Sequence, residues 1–128
     1  MVKRPVYVIH EHHASHLHYD LRLEIDSVLK SWAIPKKPPL KKGIKRLAVQ
    51  TEDHKLEYAG FEGEIAGGLY GAGKVRIWDK GYYAPLEMKD GAIVIKISGE
   101  KLNGTYCLIK LRPRAPKEKG KNWIFFKK

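Results

Sequence analysis

Between Leu17 and Glu24 the chain alternates without a break: Leu17, Tyr19, Leu21 and Leu23 are interleaved with His18, Asp20, Arg22 and Glu24. A period of two is the signature of a half-buried β-strand, in which successive side chains point to opposite faces. One face therefore joins an apolar core. The other presents an imidazole, a carboxylate and a guanidinium in a row, each about 6.6 to 7 Å from the next at strand rise. A metal ion placed there would join the first two, and a phosphate would fit between that ion and the third. Five of the six histidines lie between His10 and His18, so this strand and the residues just before it concentrate the chain's imidazoles.

The remaining sequence supports a fold built of such strands. Val6 to Ile9 reads as a first strand, and Glu11 to His16 as a loop leading to the strand Leu17 to Ile25. Asp26-Ser27 is a turn, and Val28 to Ile34 is the returning strand. The three prolines and one glycine between Pro35 and Gly43 exclude helix and central strand, which leaves an exposed basic loop suited to a phosphate backbone. A strand through Leu47, Val49 and Thr51 runs on to Glu52-Asp53-His54. Short strands follow at Gly60 to Ile65 and Lys74 to Asp79, separated by a glycine-rich bend, Gly67 to Gly73. That bend lacks the Gly-Lys-Ser/Thr ending of a phosphate loop and no helix pattern follows it, so it reads as a turn. Asp90-Gly91 and Asn103-Gly104 are hairpin signals around Ile93, Ile95 and Ile97, and Tyr106 to Leu111 continues the pattern. Arg112 to Lys121 reads as a loop, and Asn122 to Phe126 as a closing strand. No window sustains helical periodicity. The expected fold is mainly β: one domain, residues 1–128, forming an antiparallel β-barrel or sandwich with a polar groove and at most minor helix.

Charge narrows the choice of partner. Lys and Arg number 25 against 14 Asp and Glu, a net charge of +11, which suits a polyanion such as nucleic acid as well as a merely soluble lysine-rich surface. The single Cys107 excludes an internal disulfide and a cysteine-based zinc site, and its apolar neighbours make it a buried residue. The apolar run after Met1-Val2-Lys3-Arg4-Pro5 is too short for a signal peptide, and no stretch has membrane-spanning length, so the expected location is cytoplasmic.

His18 and Asp20 form two thirds of a mixed nitrogen and oxygen metal site, and His12 completes it if the Ala14-Ser15 bend folds it back over the strand. Such donors suit Mn²⁺, Zn²⁺ or Fe²⁺ better than Ca²⁺ or Mg²⁺. Plainer readings stand beside this one: solvated surface histidines, an Arg22 paired with Glu24 or Asp20, a strand-end His54 and a core Tyr58. Two functional alternatives also stand. His18-x-Asp20 with the distant His54 matches the facial triad of a non-haem Fe(II) oxygenase, and a basic barrel without catalysis would bind single strands through exposed aromatics.

The motif His12-x-Ala14-Ser15-x-Leu17-His18-Tyr19-Asp20-x-Arg22-Leu23-Glu24 is followed by Leu29-Lys30-Ser31-Trp32-Ala33-x-Pro35-Lys36. Further on come Glu52-Asp53-His54-x-Leu56-x-Tyr58, Phe61-Glu62-Gly63 and Tyr70-Gly71-Ala72-Gly73. Together these closely resemble the 3′-phosphoesterase domain of bacterial DNA ligase D and its stand-alone archaeal relatives, over most of residues 6 to 80. The resemblance implies a small β-barrel enzyme that removes a 3′-terminal ribonucleoside and then the 3′-phosphate from DNA or DNA-RNA primer-template ends, leaving a 3′-OH. It implies Mn²⁺, with Zn²⁺ or Co²⁺ possible at the same site, held by His12, His18 and Asp20. Arg22 and His54 would hold the scissile phosphate and act in catalysis. Glu52 and Tyr58 would support the reaction, while Arg46, Lys36 and His10, the last at a position where Gln is usual, would add phosphate contacts. The ligase and polymerase that use the healed end are expected as separate chains.

Overall fold

The computed structural model describes residues 4–66, 72–113 and 120–128. In chain order the strands are β1 Val6–His13, β2 Leu17–Ile25, β3 Val28–Ile34, β4 Lys45–His54, β5 Gly63–Ile65, β6 Gly73–Lys89, β7 Ala92–Gly99, β8 Asn103–Lys110 and β9 Asn122–Lys127. A 3₁₀ turn, Leu56–Gly60, is the one helical element among the described residues. The ladders are antiparallel in the order β1-β2-β3-β4-β9-β8-β7-β6, and β1 pairs with β6 to close an eight-stranded barrel. β5 adds to the outer part of β6. The expected mainly-β barrel is thus the observed fold.

Alternation sorts the side chains. Tyr7 and Ile9 of β1, Tyr19, Leu21 and Leu23 of β2, Trp32 and Ile34 of β3 and Ala48 of β4 join Ile93, Ile95, Ile97, Tyr106, Leu108, Trp123 and Phe125 in one buried cluster that fills the barrel. The intervening residues of β1 to β4 face outward. Two turns set the registers. Asp26 and Ser27 both have positive φ (52° and 68°) between the paired residues Ile25 and Val28, the conformation whose twist matches a two-residue hairpin. At Asp90-Gly91, between the paired residues Lys89 and Ala92, Gly91 alone has positive φ, 83°.

Several local expectations change. β1 runs to His13 rather than ending at Ile9, because pairing with β2 and β6 continues through His12 and His13. Gly60 to Ile65 divides into the end of the 3₁₀ turn and the three residues of β5. The basic loop after β3 is not wholly exposed: Pro38 and Pro39 are buried, the Tyr106 hydroxyl donates to the Pro39 carbonyl at 2.8 Å, and Arg46 Nε donates to the Lys37 carbonyl at 2.9 Å. Most of the expected glycine-rich bend, and part of the loop from Arg112 to Lys121, lie outside the described residues.

β6 is far longer than its sequence pattern suggests, since it serves two partners. Its first half pairs with β1 and its second with β7, and the change comes at Gly81, which faces both Tyr7 and Gly99. A Cβ at Gly81 would collide with the Ser98 carbonyl and the Gly99 Cα, so the crossing needs glycine. Bulges at Trp78 and Leu86 let the strand bend around the barrel. Asn103-Gly104, expected as a turn, instead begins β8. The real turn is Gly99 to Leu102, organised by the buried Asp79: Oδ1 accepts from the backbone N–H groups of Glu100 and Lys101, each at 2.8 Å, and Oδ2 accepts from Leu102 N–H at 2.9 Å and the Tyr7 hydroxyl at 2.8 Å. Burial, with Asp79 beside it, drives the Tyr7 phenol far above its ordinary pKa, so it stays a donor.

Asp79→Ala leaves four donors unsatisfied in a buried site, and chemical denaturation should register a loss of about 3 kcal/mol or more; a loss below about 1 kcal/mol would show that water replaces the carboxylate without cost. A second expectation concerns alkaline stability. Burial pushes the Tyr83 phenol up to about 12, and its hydroxyl donates to the Glu24 carbonyl at 2.7 Å. An unfolded-chain tyrosine ionises near 10. The unfolded state therefore releases a proton that the folded state keeps, so this contribution is intact below about pH 10 and is lost as pH climbs toward about 12. Denaturation midpoints of wild type and Tyr83→Phe should converge across that window, and parallel curves would refute it.

Candidate functional site

The outward faces of β1 to β4 meet in a groove. It is lined by His12, His18, Asp20, Arg22, His54 and Tyr58, with Ala33, Thr51 and Glu52 along one side, and has a volume of about 550 Å³. Its position follows from register: His12 on β1 is the cross-strand partner of His18 on β2, and His10 is the partner of Asp20. His12 therefore reaches the site from a strand, not by folding back from a loop. On the other side a bulge sets Leu29 and Ser31 of β3 opposite His54 and Thr51 of β4. The extra residue on β4 turns both Thr51 and His54 toward the groove, although they are three positions apart.

At one end of the groove, His12, His18 and Asp20 bring their donor atoms within 4.8 Å of one another. His12 Nδ1 lies 3.5 Å from Asp20 Oδ2, and His18 Nε2 lies 3.2 Å from Asp20 Oδ1. The opposite nitrogen of each ring is engaged by a backbone carbonyl: His12 Nε2 with Ala72 O at 3.2 Å and His18 Nδ1 with His16 O at 3.3 Å. Carbonyls only accept, so in both neutral rings the proton sits on the outer nitrogen and the lone pair faces the cluster. This outer-carbonyl arrangement is how metal-bound histidines are oriented. Three protein donors, two nitrogen and one oxygen, fit a divalent transition metal with positions left open for substrate. Without such an ion Asp20 favours a second proton on His18, at the Nε2 that faces it: the hydrogen bond to Asp20 outweighs burial and raises the His18 pKa. Burial alone would raise the Asp20 pKa, but the His18 hydrogen bond and the Arg22 charge bring it below its ordinary value.

Arg22 occupies the middle and is almost wholly buried. Its Nε donates to His10 Nδ1 at 3.1 Å, one terminal nitrogen reaches Ser31 Oγ at 2.8 Å and His54 Nδ1 at 3.0 Å, and the other reaches Asp20 Oδ2 at 3.4 Å. The guanidinium also stacks against the Tyr58 ring, 4.9 Å from its centroid. A guanidinium can only donate. His10 must then present a bare Nδ1, whereas His54 Nδ1 also lies 3.1 Å from the Glu52 carbonyl, so Arg22 and Glu52 compete for opposite tautomers of that ring. Burial, reinforced by Arg22, lowers His10 to about 4, and the same two causes lower His54. Burial raises the Tyr58 phenol, so it remains protonated.

Of the residues singled out from sequence, His12, His18, Asp20, Arg22, His54, Tyr58 and Glu52 line the groove together. Three do not. His10 is fully buried behind Arg22 and has no surface to offer a phosphate. Lys36 is exposed on the loop that leaves β3 beside the His18 end of β2, and Arg46 is tied to the Lys37 carbonyl of the same loop. Neither lines the groove. Ser31, an acceptor for Arg22, escaped the sequence reading. The signal was available, since Leu29, Ser31 and Ala33 alternate with Trp32 and Ile34 and so must face away from the core. The facial triad that would have used His54 is not assembled, as His54 Nδ1 meets Arg22 while His12 stands with His18 and Asp20.

No helix among the described residues is long and apolar enough to cross a membrane. Residues 10–110 match the family model described as the DNA Ligase D 3′-phosphoesterase domain. The multifunctional non-homologous end joining protein LigD of Pseudomonas aeruginosa is 48% identical over 126 residues, 94% of this chain and 15% of that protein. The multifunctional non-homologous end joining DNA repair protein LigD of Mycobacterium tuberculosis is 50% identical over 108 residues, 81% of this chain and 14% of the relative. The corresponding Mycolicibacterium smegmatis protein is 47% identical over 129 residues, covering 92% and 16%. The chain thus matches about one seventh of the length of each relative. On the family match and on identity across nearly its whole length, this chain belongs to the DNA ligase D 3′-phosphoesterase domain family.

Proposed function

We propose that the protein is a metal-dependent phosphoesterase that heals DNA 3′ ends, removing a 3′-phosphate and a 3′-terminal ribonucleoside so that a ligase finds a 3′-OH. One observation carries the reading: in a chain of this family, a group of three donors that could hold a metal and a rigidly held guanidinium share the outward face of two paired strands, with Asp20 common to both. The relatives' role in end joining and DNA repair agrees with this substrate, as does the net charge of +11.

His12, His18 and Asp20 hold the ion, for which Mn²⁺ is the proposed identity and Zn²⁺ or Co²⁺ are alternatives of similar donor preference. Once bound, it supplies positive charge and Lewis acidity where phosphoryl oxygens gather negative charge. Arg22 holds those oxygens from the other side. The 3.4 Å contact to Asp20, longer than those to His10, Ser31 and His54, is the one a phosphate oxygen replaces. Ser31 and His10 fix the plane of the guanidinium, so its geometry is set before substrate arrives. His54, which burial and the Arg22 charge make less basic than an ordinary imidazole, is a hydrogen-bond partner for a phosphoryl oxygen rather than a ready proton source in the free protein. Tyr58 holds the Arg22 plane and donates from a protonated phenol, and Glu52 completes the groove wall. Lys36 and Arg46 steady or contact the nucleic-acid backbone beyond the groove. His10 is assigned as a positioning residue that aligns Arg22.

Hydrolysis of a 3′-phosphorylated primer-template with Mn²⁺, and its loss in EDTA, tests the function directly; full activity in EDTA, or none under either condition, defeats it. Variants then divide the site. His18→Ala and Asp20→Ala should lose both metal binding and turnover with the fold retained. Arg22→Ala and His54→Ala should keep metal affinity while kcat falls by a factor on the order of 10² to 10³. Lost Mn²⁺ affinity in His54→Ala would instead make it a ligand. For His10, the useful contrast is Leu against Gln. The Gln side-chain oxygen still accepts from Arg22 Nε, so His10→Gln should restore most of the kcat that His10→Leu loses. Equal activity of the two would mean that His10 does not act through Arg22.

A further inference from the structure

Beside the groove is a second depression, of about 640 Å³, which shares His54 and Tyr58 with it and extends away from the metal cluster to Phe61. Its apolar surface comes from the half-buried rings of Tyr58 and Phe61, and exposed Lys55 and Glu57 border it. The two rings stack nearly parallel, at 9° with centroids 5.0 Å apart. Arg22 lies over the Tyr58 ring as well. The Tyr58 ring therefore touches both the Arg22 guanidinium and the Phe61 ring.

Neither ring belongs to the barrel core, which is complete without them. They are carried on the outer wall by the short turn after β4, and the 3₁₀ turn buries no residue of its own. A stacked aromatic pair left partly open to solvent next to an anion site is a platform for a flat, π-faced group. In a nucleic-acid 3′ end that group is one sugar away from the phosphate, and here the platform is one ring away from Arg22. On the same rim Asp53 is already paired with Lys30 at 3.0 Å.

We propose that this depression is the nucleobase subsite: the base of the nucleotide bearing the scissile 3′-phosphate stacks on the Phe61–Tyr58 pair, whatever its identity. The subsite rests on the phosphoesterase reading and adds to it a positive requirement for a terminal base. It also makes Phe61 a substrate-binding residue, a role that no polar chemistry in its own side chain would have suggested.

The test compares kcat/KM for a 3′-phosphorylated oligonucleotide ending in a normal nucleoside with that for the same oligonucleotide ending in a tetrahydrofuran abasic residue. Wild type should prefer the base-bearing end by a factor on the order of 10, expressed mainly in KM, with little difference among the four bases. Phe61→Leu keeps apolar bulk but loses the π-face, so the preference should collapse toward one; Phe61→Trp should preserve it. Equal rates on the two substrates in wild type overturn the subsite. So does a Phe61→Leu variant that slows both substrates alike and keeps the preference, since Phe61 would then only support Tyr58. Absence of hydrolysis of either substrate by folded, Mn²⁺-loaded protein defeats the phosphoesterase reading, and the subsite with it.

Discussion

A guanidinium buried on the outer wall of a barrel is the constraint around which this site is arranged. Arg22 cannot lose its charge, and leaving such a group without partners in a dry environment costs several kcal/mol. The protein meets that demand from each neighbouring element: His10 from β1, Asp20 from β2 itself, Ser31 from β3, His54 at the end of β4 and the ring of Tyr58 from the turn beyond. Each of these partners is held in place by the arginine in return. Its charge, after burial, makes two histidines less basic and helps to lower the pKa of a carboxylate, and an aromatic ring lies against it.

Barrel closure makes such an arrangement rigid. The interior is occupied by apolar side chains from all eight closing strands, so polar residues on β1 to β4 have only the outward face left to them. With no free edge among those strands, the register that pairs His12 with His18 cannot slip without carrying the core residues to the wrong side. The irregularities sit where that regularity would fail. The β4 bulge brings His54 to Arg22, and Gly81 lets β6 pass from β1 to β7. Asp79 turns the chain where an Asn-Gly pair two residues later does not.

The three-donor cluster and the arginine are joined through one carboxylate. Asp20 Oδ1 contacts His18, while Oδ2 contacts both His12 and Arg22. On the proposed function, that sharing explains why an acidic residue beside the ion and the guanidinium does not simply repel an anionic substrate: its charge is already committed.

Local pattern was enough for some of this. The alternation from Leu17 to Glu24 dictated a strand with His18, Asp20 and Arg22 on one face, because side-chain direction in a strand depends only on position parity, and the hairpin at Asp26-Ser27 was likewise readable from turn chemistry. The absence of helical periodicity, with many short strands, was enough for an antiparallel β fold, and the pairing of β1 with β6 decides between barrel and sandwich. The sequence by itself could not show that His12 stands on a strand opposite His18, that His10 is buried behind Arg22, or that β6 runs on for seventeen residues. It also misplaced the turn at Asn103-Gly104 and passed over Ser31 and Phe61. Each of those facts is set by a partner far along the chain, through ladder register, a bulge or a buried carboxylate. Parity within one strand is a local property of the backbone, whereas the pairing of strands and the burial of a charge are decided only when the barrel closes.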